Sequence, residues 1–191
     1  MKTRFLKPAL AGGIIVTLLS FTQMGTLKKK IDIKESQVTW IGKKMTGEHS
    51  GTIQLKDGFF LMENEDLVGG EFTIDMNSIE VTDLSGEDKT NLEGHLKSDD
   101  FFGTEVYPLS NMVFKSITKK GDVYQITANL TIKEITHPIT FDLKMDKGSA
   151  SAKFQIDRAK YNVRYGSGSF FSNLGDKTIY DKFDVAVTLK F

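Results

Sequence analysis

The chain contains no cysteine. Disulfides, thiolate metal sites, thiol nucleophiles and lipid attachment at a cysteine are therefore excluded, and an exported form must be held by its core alone. A basic excess is also missing, because 25 Lys and Arg are balanced by 25 Asp and Glu. Nucleic-acid binding, which calls for a positive stripe, is disfavoured. Histidine is scarce as well: His49, His95 and His137 stand alone, with no partner at the short spacings of a local metal site. No metal or cofactor is expected. The bland reading of these histidines is ordinary hydrogen bonding, against a remote alternative that sets Asp99 or Asp100 beside His95.

Catalytic signatures fail in the same way. No serine lies in a Gly-x-Ser-x-Gly elbow. Gly166-Ser167-Gly168 has Phe171 where a dinucleotide loop needs its third glycine, and the Gly42 to Gly47 stretch is followed by Glu48 where a phosphate loop needs lysine. The expectation is a protein that catalyses nothing.

Only one long apolar run exists, from Ala9 to Phe21, preceded by Lys2, Arg4 and Lys7 and with no acidic residue before Asp32. It falls short of the ~20 residues of a membrane span and has the form of a secretory signal peptide over residues 1–24. Cleavage is expected between Thr22 and Thr26, giving a periplasmic or secreted protein with no stable membrane anchor. Loss of that segment leaves 22 basic against 25 acidic residues. Lys28-Lys29-Lys30 then reads as a solvated junction.

What the chain does have is aromatic residues, with 14 Phe and 5 Tyr, and from Ile31 onward a period-two alternation typical of half-buried strands. Tyr124, Ile126, Ala128, Leu130 and Ile132 share one face; Phe183, Val185, Val187, Leu189 and Phe191 share another; Ile139, Phe141, Leu143 and Met145 form a third. Further strands are expected near Ser36–Lys44, Gly70–Met76, Asn111–Thr118 and Ser149–Ile156. Hairpin turns are expected at Asp57-Gly58, between Thr52–Lys56 and Phe59–Met62, and at Gly121-Asp122 and Lys147-Gly148. One helix, Glu87–Lys97, follows a capping-box-like Ser85-Gly86-Glu87-Asp88. With the aromatic loop Asp99-Asp100-Phe101-Phe102 it should lie across one barrel end. Eight or nine antiparallel strands with no βαβ pattern predict an all-β barrel or sandwich. Asp157 to Thr178 is long and irregular enough to be a functional loop.

One ordered set of residues is more specific. It comprises Ser36-x-Val38-x-Trp40, Gly51, Asp75-x-x-Ser78-Ile79, His95-Leu96-Lys97-Ser98-Asp99-Asp100-Phe101-Phe102, Tyr107-Pro108, Leu130-Thr131-Ile132-Lys133, Thr136-His137-Pro138 and Asp157-Arg158. Over residues 31–191 the chain resembles the YceI-like family of polyisoprenoid-binding, lipocalin-like proteins. Glu134 departs from it, standing where a glycine is usual. The resemblance implies an antiparallel eight-stranded lipocalin-like barrel in the periplasm, an isoprenoid or other long-chain lipid as partner, and no catalytic residue.

On this reading the channel is lined by Trp40, Phe72, Phe114, Tyr124 and Ile126, together with Leu130, Phe141, Leu143 and Phe154. The mouth or its loop carries His95, Phe101, Phe102, Arg158 and Arg164, the arginines more as loop locks with carboxylate partners than as ligand contacts. The alternative is a secreted structural or interaction protein whose barrel is filled by its own side chains and holds no ligand; under either reading a homodimer is open.

Overall fold

Among the described residues, period-two alternation resolves into nine strands: β1 (Leu27–Lys30), β2 (Gln37–Lys44), β3 (Gly47–Glu63), β4 (Asp66–Val81), β5 (Leu109–Lys120), β6 (Val123–Ile132), β7 (Ile135–Asp146), β8 (Ser149–Asp157) and β9 (Lys182–Lys190). One helix, α1 (Gly86–Lys97), interrupts the meander between β4 and β5. The structure is a computed structural model that describes residues 25–191; the expected export segment, residues 1–24, lies outside the described residues.

All strand pairings are antiparallel, and a β3–β4 pairing closes the sheet into an eight-stranded barrel. β1 is the ninth strand. It pairs with the Phe59–Met62 half of β3 and runs in line with β2, which pairs with the Gly47–Ile53 half. Lys28-Lys29-Lys30 is thus part of the sheet rather than a solvated junction, and the Lys28 ammonium rests 3.5 Å from the centre of the Phe59 ring. Sheet pairing overrides the polar composition because these side chains stay largely on the outer face.

The alternation on β6 is exact in its consequence: Tyr124, Ile126, Ala128, Leu130 and Ile132 are all buried. Elsewhere bulges reset the phase. On β5 the inward series Met112, Phe114 resumes at Ile117 because the register shifts between Phe114 and Ser116. On β4 it passes from Phe72 and Met76 to Ile79 and Val81 through the segment Asp75–Ser78. That bulge is closed locally. The Asp75 carboxylate accepts from the Asn77 N–H at 3.0 Å, the Ser78 hydroxyl donates to the Asp75 carbonyl at 2.6 Å, and the Gln54 N–H donates to the Ser78 hydroxyl at 2.8 Å.

Two sequence expectations need correction. Asp57-Gly58 is not a hairpin, for β3 runs unbroken through it, with Asp57 opposite Thr73 and Gly58 opposite Phe72. Glycine is needed there for close approach, since a Cβ would sit 2.7 Å from Cδ1 of Phe72. The turn comes later, at Asn64-Glu65, where both residues take positive φ of 52° and 69° as a two-residue I′-type turn requires. The second correction concerns α1: Ser85 is its N-cap residue but makes no side-chain cap bond, so the capping box is not formed. Nor does the helix bury any residue fully; Leu92 and Leu96 are half-buried on its inner side.

Candidate functional site

The turns sort the barrel into two ends. Asn64-Glu65, Gly121-Asp122, Lys147-Gly148 and the start of β1 lie at one, here the far end. The β2–β3 tip, α1 with the loop up to Pro108, the Lys133-Glu134 turn and residues 158–181 lie at the other, the mouth.

The far end is plugged by phenylalanine. Phe60 meets Phe72 edge-on with ring centres 5.4 Å apart and Phe191 at 5.2 Å, while Phe72 and Phe114 are 5.5 Å apart. Above this plug is a cavity of about 410 Å³. Trp40, Phe72, Phe114, Leu130, Phe141, Leu143 and Phe154 line it, as expected from sequence for seven of the nine proposed channel residues. Phe141 and Phe154 stack at 4.7 Å on its wall. Trp40 is seated over Gly51, where a Cβ would fall 2.4 Å from the indole, and its Nε1 donates to the Thr52 carbonyl at 3.1 Å.

Tyr124 and Ile126 point inward but do not line the cavity. The Tyr124 side chain extends to the far end, where its hydroxyl donates to Asp66 at 3.2 Å beside Lys119. These two donors hold the Asp66 carboxyl below its ordinary range. Ile126 is wholly enclosed by packed neighbours. Alternation fixes which face a residue takes, but not how far along the barrel its packing is solid. The sequence reading also missed lining residues, among them Met76, Ile79, Met112 and Tyr180. A bulge shifts the phase of β4 before Ile79; Met76 and Met112 lie in phase with Phe72 and Phe114 and were legible; Tyr180 precedes β9 with no periodic signal.

Two buried polar side chains that reach the cavity, Ser110 and Arg158, are already bonded. Ser110, buried, donates to the Met76 sulfur at 3.0 Å. Arg158, only 3% exposed, donates to the carbonyls of Val163 (3.0 Å), Tyr165 (2.8 Å), Ile179 (3.0 Å) and Tyr180 (3.3 Å). Its ionic partner is Asp181 at 3.5 Å rather than the adjacent Asp157, whose carboxylate accepts from the Ala159 N–H instead. Burial draws the guanidinium below its usual value, and the Asp181 and Asp157 charges oppose that. Four carbonyls of the 158–181 loop thus converge on one cation, which fixes the loop as a rim.

The same guanidinium lies 5.3 Å from the centre of Phe101. Phe101 also meets His95 edge-on at 5.4 Å, and His95 meets Tyr165 at 4.3 Å. His95 therefore packs among aromatic rings and not beside Asp99 or Asp100. Phe101 and Phe102 both line the cavity, and the Lys133 ammonium holds the Phe101 carbonyl at 2.9 Å. Arg164 turns elsewhere, into a separate polar depression with Asp99, Asp100, Lys133 and Lys177. It is exposed, bonds Asn162 and lies 4.9 Å from the Phe170 ring centre.

The motif residues are mostly the joints of this mouth. Asp75 and Ser78 form the β4 bulge, Pro108 accepts from the Met76 N–H at 2.9 Å, and His137 packs on Tyr161 at 5.5 Å. A model of the YceI-like domain matches residues 30–191. The chain belongs to the YceI-like family. Among relatives, it is 30% identical over 95 residues to Protein YceI of Escherichia coli O6:H1, covering 50% of this chain and 48% of that protein. It is 29% identical over 149 residues to Protein YceI of Salmonella arizonae, covering 73% of each. The chain spans about half the length of the first of these curated relatives, at 48%.

Two solved structures share the fold. BcnA of Burkholderia cenocepacia has a TM-score of 0.63 at 20% identity, covering 83% of this chain and 98% of that one. A polyisoprenoid binding domain from Saccharophagus degradans, implicated in plant cell wall breakdown, has a TM-score of 0.56 at 15% identity, covering 86% and 97%. The glycine that the resemblance leads one to expect at Glu134 would have a physical reason: Lys133 and Glu134 take φ of 50° and 62°, a left-handed pair that glycine adopts without strain. This YceI-like chain accepts the strain and keeps the turn.

Proposed function

We propose that this protein binds and carries a long apolar molecule of the isoprenoid class inside its barrel, without catalysis, after export to the periplasm. The observation that carries the reading is the cavity of about 410 Å³ between the phenylalanine plug and the mouth, a size in the range of small-molecule sites. Ser110 and Arg158 have their bonds inside the protein, so the interior rewards apolar atoms and leaves a polar end nowhere but the mouth. At ~0.8 kcal/mol per buried CH₂, the tail supplies the driving force, offset by the cost of ordering it. The polyisoprenoid-binding neighbour of the same fold supports this class of cargo.

Export rests on the leading basic and apolar segment. N-terminal sequencing of the exported protein should begin between Gln23 and Leu27; an intact Met1 in a membrane fraction would mean an anchored form. For the cargo, native mass spectrometry before and after organic extraction should reveal a removable long-chain species. Trp40, the single tryptophan and a wall of the cavity, provides a fluorescence readout for titration with a long-chain isoprenoid alcohol. Phe141→Trp should weaken that binding while costing the empty protein less than about 1 kcal/mol, against the ~1–3 kcal/mol of overpacking a solid core. A large stability loss with no lipid in any extract would establish the filled-barrel alternative.

A further inference from the structure

We propose that the mouth is a docking surface for an anionic phospholipid bilayer, engaged through one edge of the rim. This goes beyond cargo binding and does not depend on it. Five large apolar or aromatic side chains are exposed together there: Met45 at 54%, Tyr165 at 46%, Phe170 at 40%, Phe171 at 49% and Tyr180 at 48%. They come from two segments that the fold brings together. The Tyr180 hydroxyl donates to the Met45 sulfur at 3.2 Å, and the Met45 N–H donates to the Thr178 carbonyl at 3.0 Å. Phe170 and Phe171 both donate their N–H groups to the carbonyl of buried Ser167, which holds the pair at the loop tip. Grouped exposed aromatics at the open end of a barrel are unusual for a surface that meets only water.

Charge identifies the partner. Residues 158–182 carry five cationic side chains against two carboxylates. Lys44, Lys160, Arg164, Lys177 and Lys182 are exposed and make no ion pair among the described residues. Asp99 and Asp100 adjoin this edge, in the depression of Arg164 and Lys177, and α1 and its following loop carry Glu87, Asp88, Glu93 and Glu105 together with Lys89 and Lys97. A rim edge that bears both the exposed aromatics and five cations without ion-pair partners among the described residues matches an anionic interface that takes up aromatic rings at headgroup depth and attracts flanking lysines. Tyr165 and Tyr180 line the cavity as well as the rim, so the docked edge is continuous with the interior. Because Arg158 locks the loop from beneath, the surface is formed before contact.

Co-sedimentation with vesicles of phosphatidylglycerol and phosphatidylcholine, against phosphatidylcholine alone, tests this, with wild type and variants carrying the same N-terminus. Wild type should bind the anionic vesicles preferentially, and less as salt rises. Phe170→Ser with Phe171→Ser should lower that affinity on the order of tenfold or more, and Lys44→Glu with Lys177→Glu comparably. Lys147→Glu with Lys190→Glu, at the far end, should leave it unchanged. The residues are exposed, so melting temperatures should hold; if the phenylalanine pair failed to fold, the lysine pair would decide alone. Wild type that stayed in the supernatant at low salt, or a far-end pair as damaging as the mouth pair, would overturn the proposal. So would a dimer of the wild type that ignored vesicles and was dissociated by the phenylalanine substitutions, for the patch would then be a self-association surface.

Discussion

At the far end, only short turns join the strands and Phe60, Phe72, Phe114 and Phe191 meet ring to ring; at the mouth, two short turns alternate with the long β4–β5 and β8–β9 connections, and the space between opposite walls stays open. The same strands run through both regions. Solid packing at one end comes from aromatic volume delivered by β3, β4 and β5 with the chain terminus. The opening at the other survives because the loops above it are held by polar bonds of their own. Arg158 and its four carbonyls replace, at the mouth, the cohesion that phenylalanine supplies at the far end.

The comparison is most exposed to truncation of Phe60, which is fully buried in the plug. Phe60→Ala should cost roughly 3–5 kcal/mol in urea denaturation, with Phe154→Ala, half-buried on the cavity wall, costing clearly less. Equal losses would mean that both ends are packed alike. Next is Arg158→Ala, expected to destabilise by about 3 kcal/mol, because four carbonyls and the Asp181 carboxylate lose a shared buried cation. A stability near wild type with lost lipid binding would instead make Arg158 a ligand contact.

An alkaline titration probes the mouth without mutation. Tyr161 is 1% exposed and its hydroxyl has no hydrogen-bond partner among the described residues; burial, aided by Asp157, pushes its pKa up to about 12. The folded state thus favours the protonated phenol. Its contribution, roughly 2–3 kcal/mol, is full below about pH 10 and should be lost as pH rises toward about 12. Tyr161→Phe should remove that part of the alkaline loss while leaving neutral-pH stability unchanged or slightly higher, as measured by melting across the range.

The smallest effect concerns the turns, where the two ends are alike. Glu134→Gly at the mouth and Glu65→Gly at the far end both replace a left-handed non-glycine residue, with φ of 62° and 69°. Each should gain about 1 kcal/mol or less, as relieved strain exceeds the added chain entropy. A loss at Glu134 alone would indicate a role for that side chain at the rim.

Much of this was legible in the chain itself. Tyr124 to Ile132 announced an inward face, Gly121-Asp122 and Lys147-Gly148 are turns, and the ordered set from Trp40 to Arg158 marked the YceI-like barrel. Asp57-Gly58 misled because glycine serves close approach as well as turning, and only the neighbouring Phe72 ring shows which. Arg158 was legible as a lock, but its partner was not: Asp157 is next in sequence, whereas Asp181 and the four carbonyls arrive through the fold.

The sequence by itself therefore determined the inward faces of the unbulged strands and an all-β barrel or sandwich, because these depend on local periodicity and turn chemistry, while the choice of barrel came with the ordered motif set of the family. Tertiary structure alone decided where the barrel is full and where it is hollow. Tyr124 and Leu143 both face inward from paired positions, yet one ends at Asp66 and the other borders the cavity. Volume along a barrel axis is a sum over all its walls, and no single strand carries it.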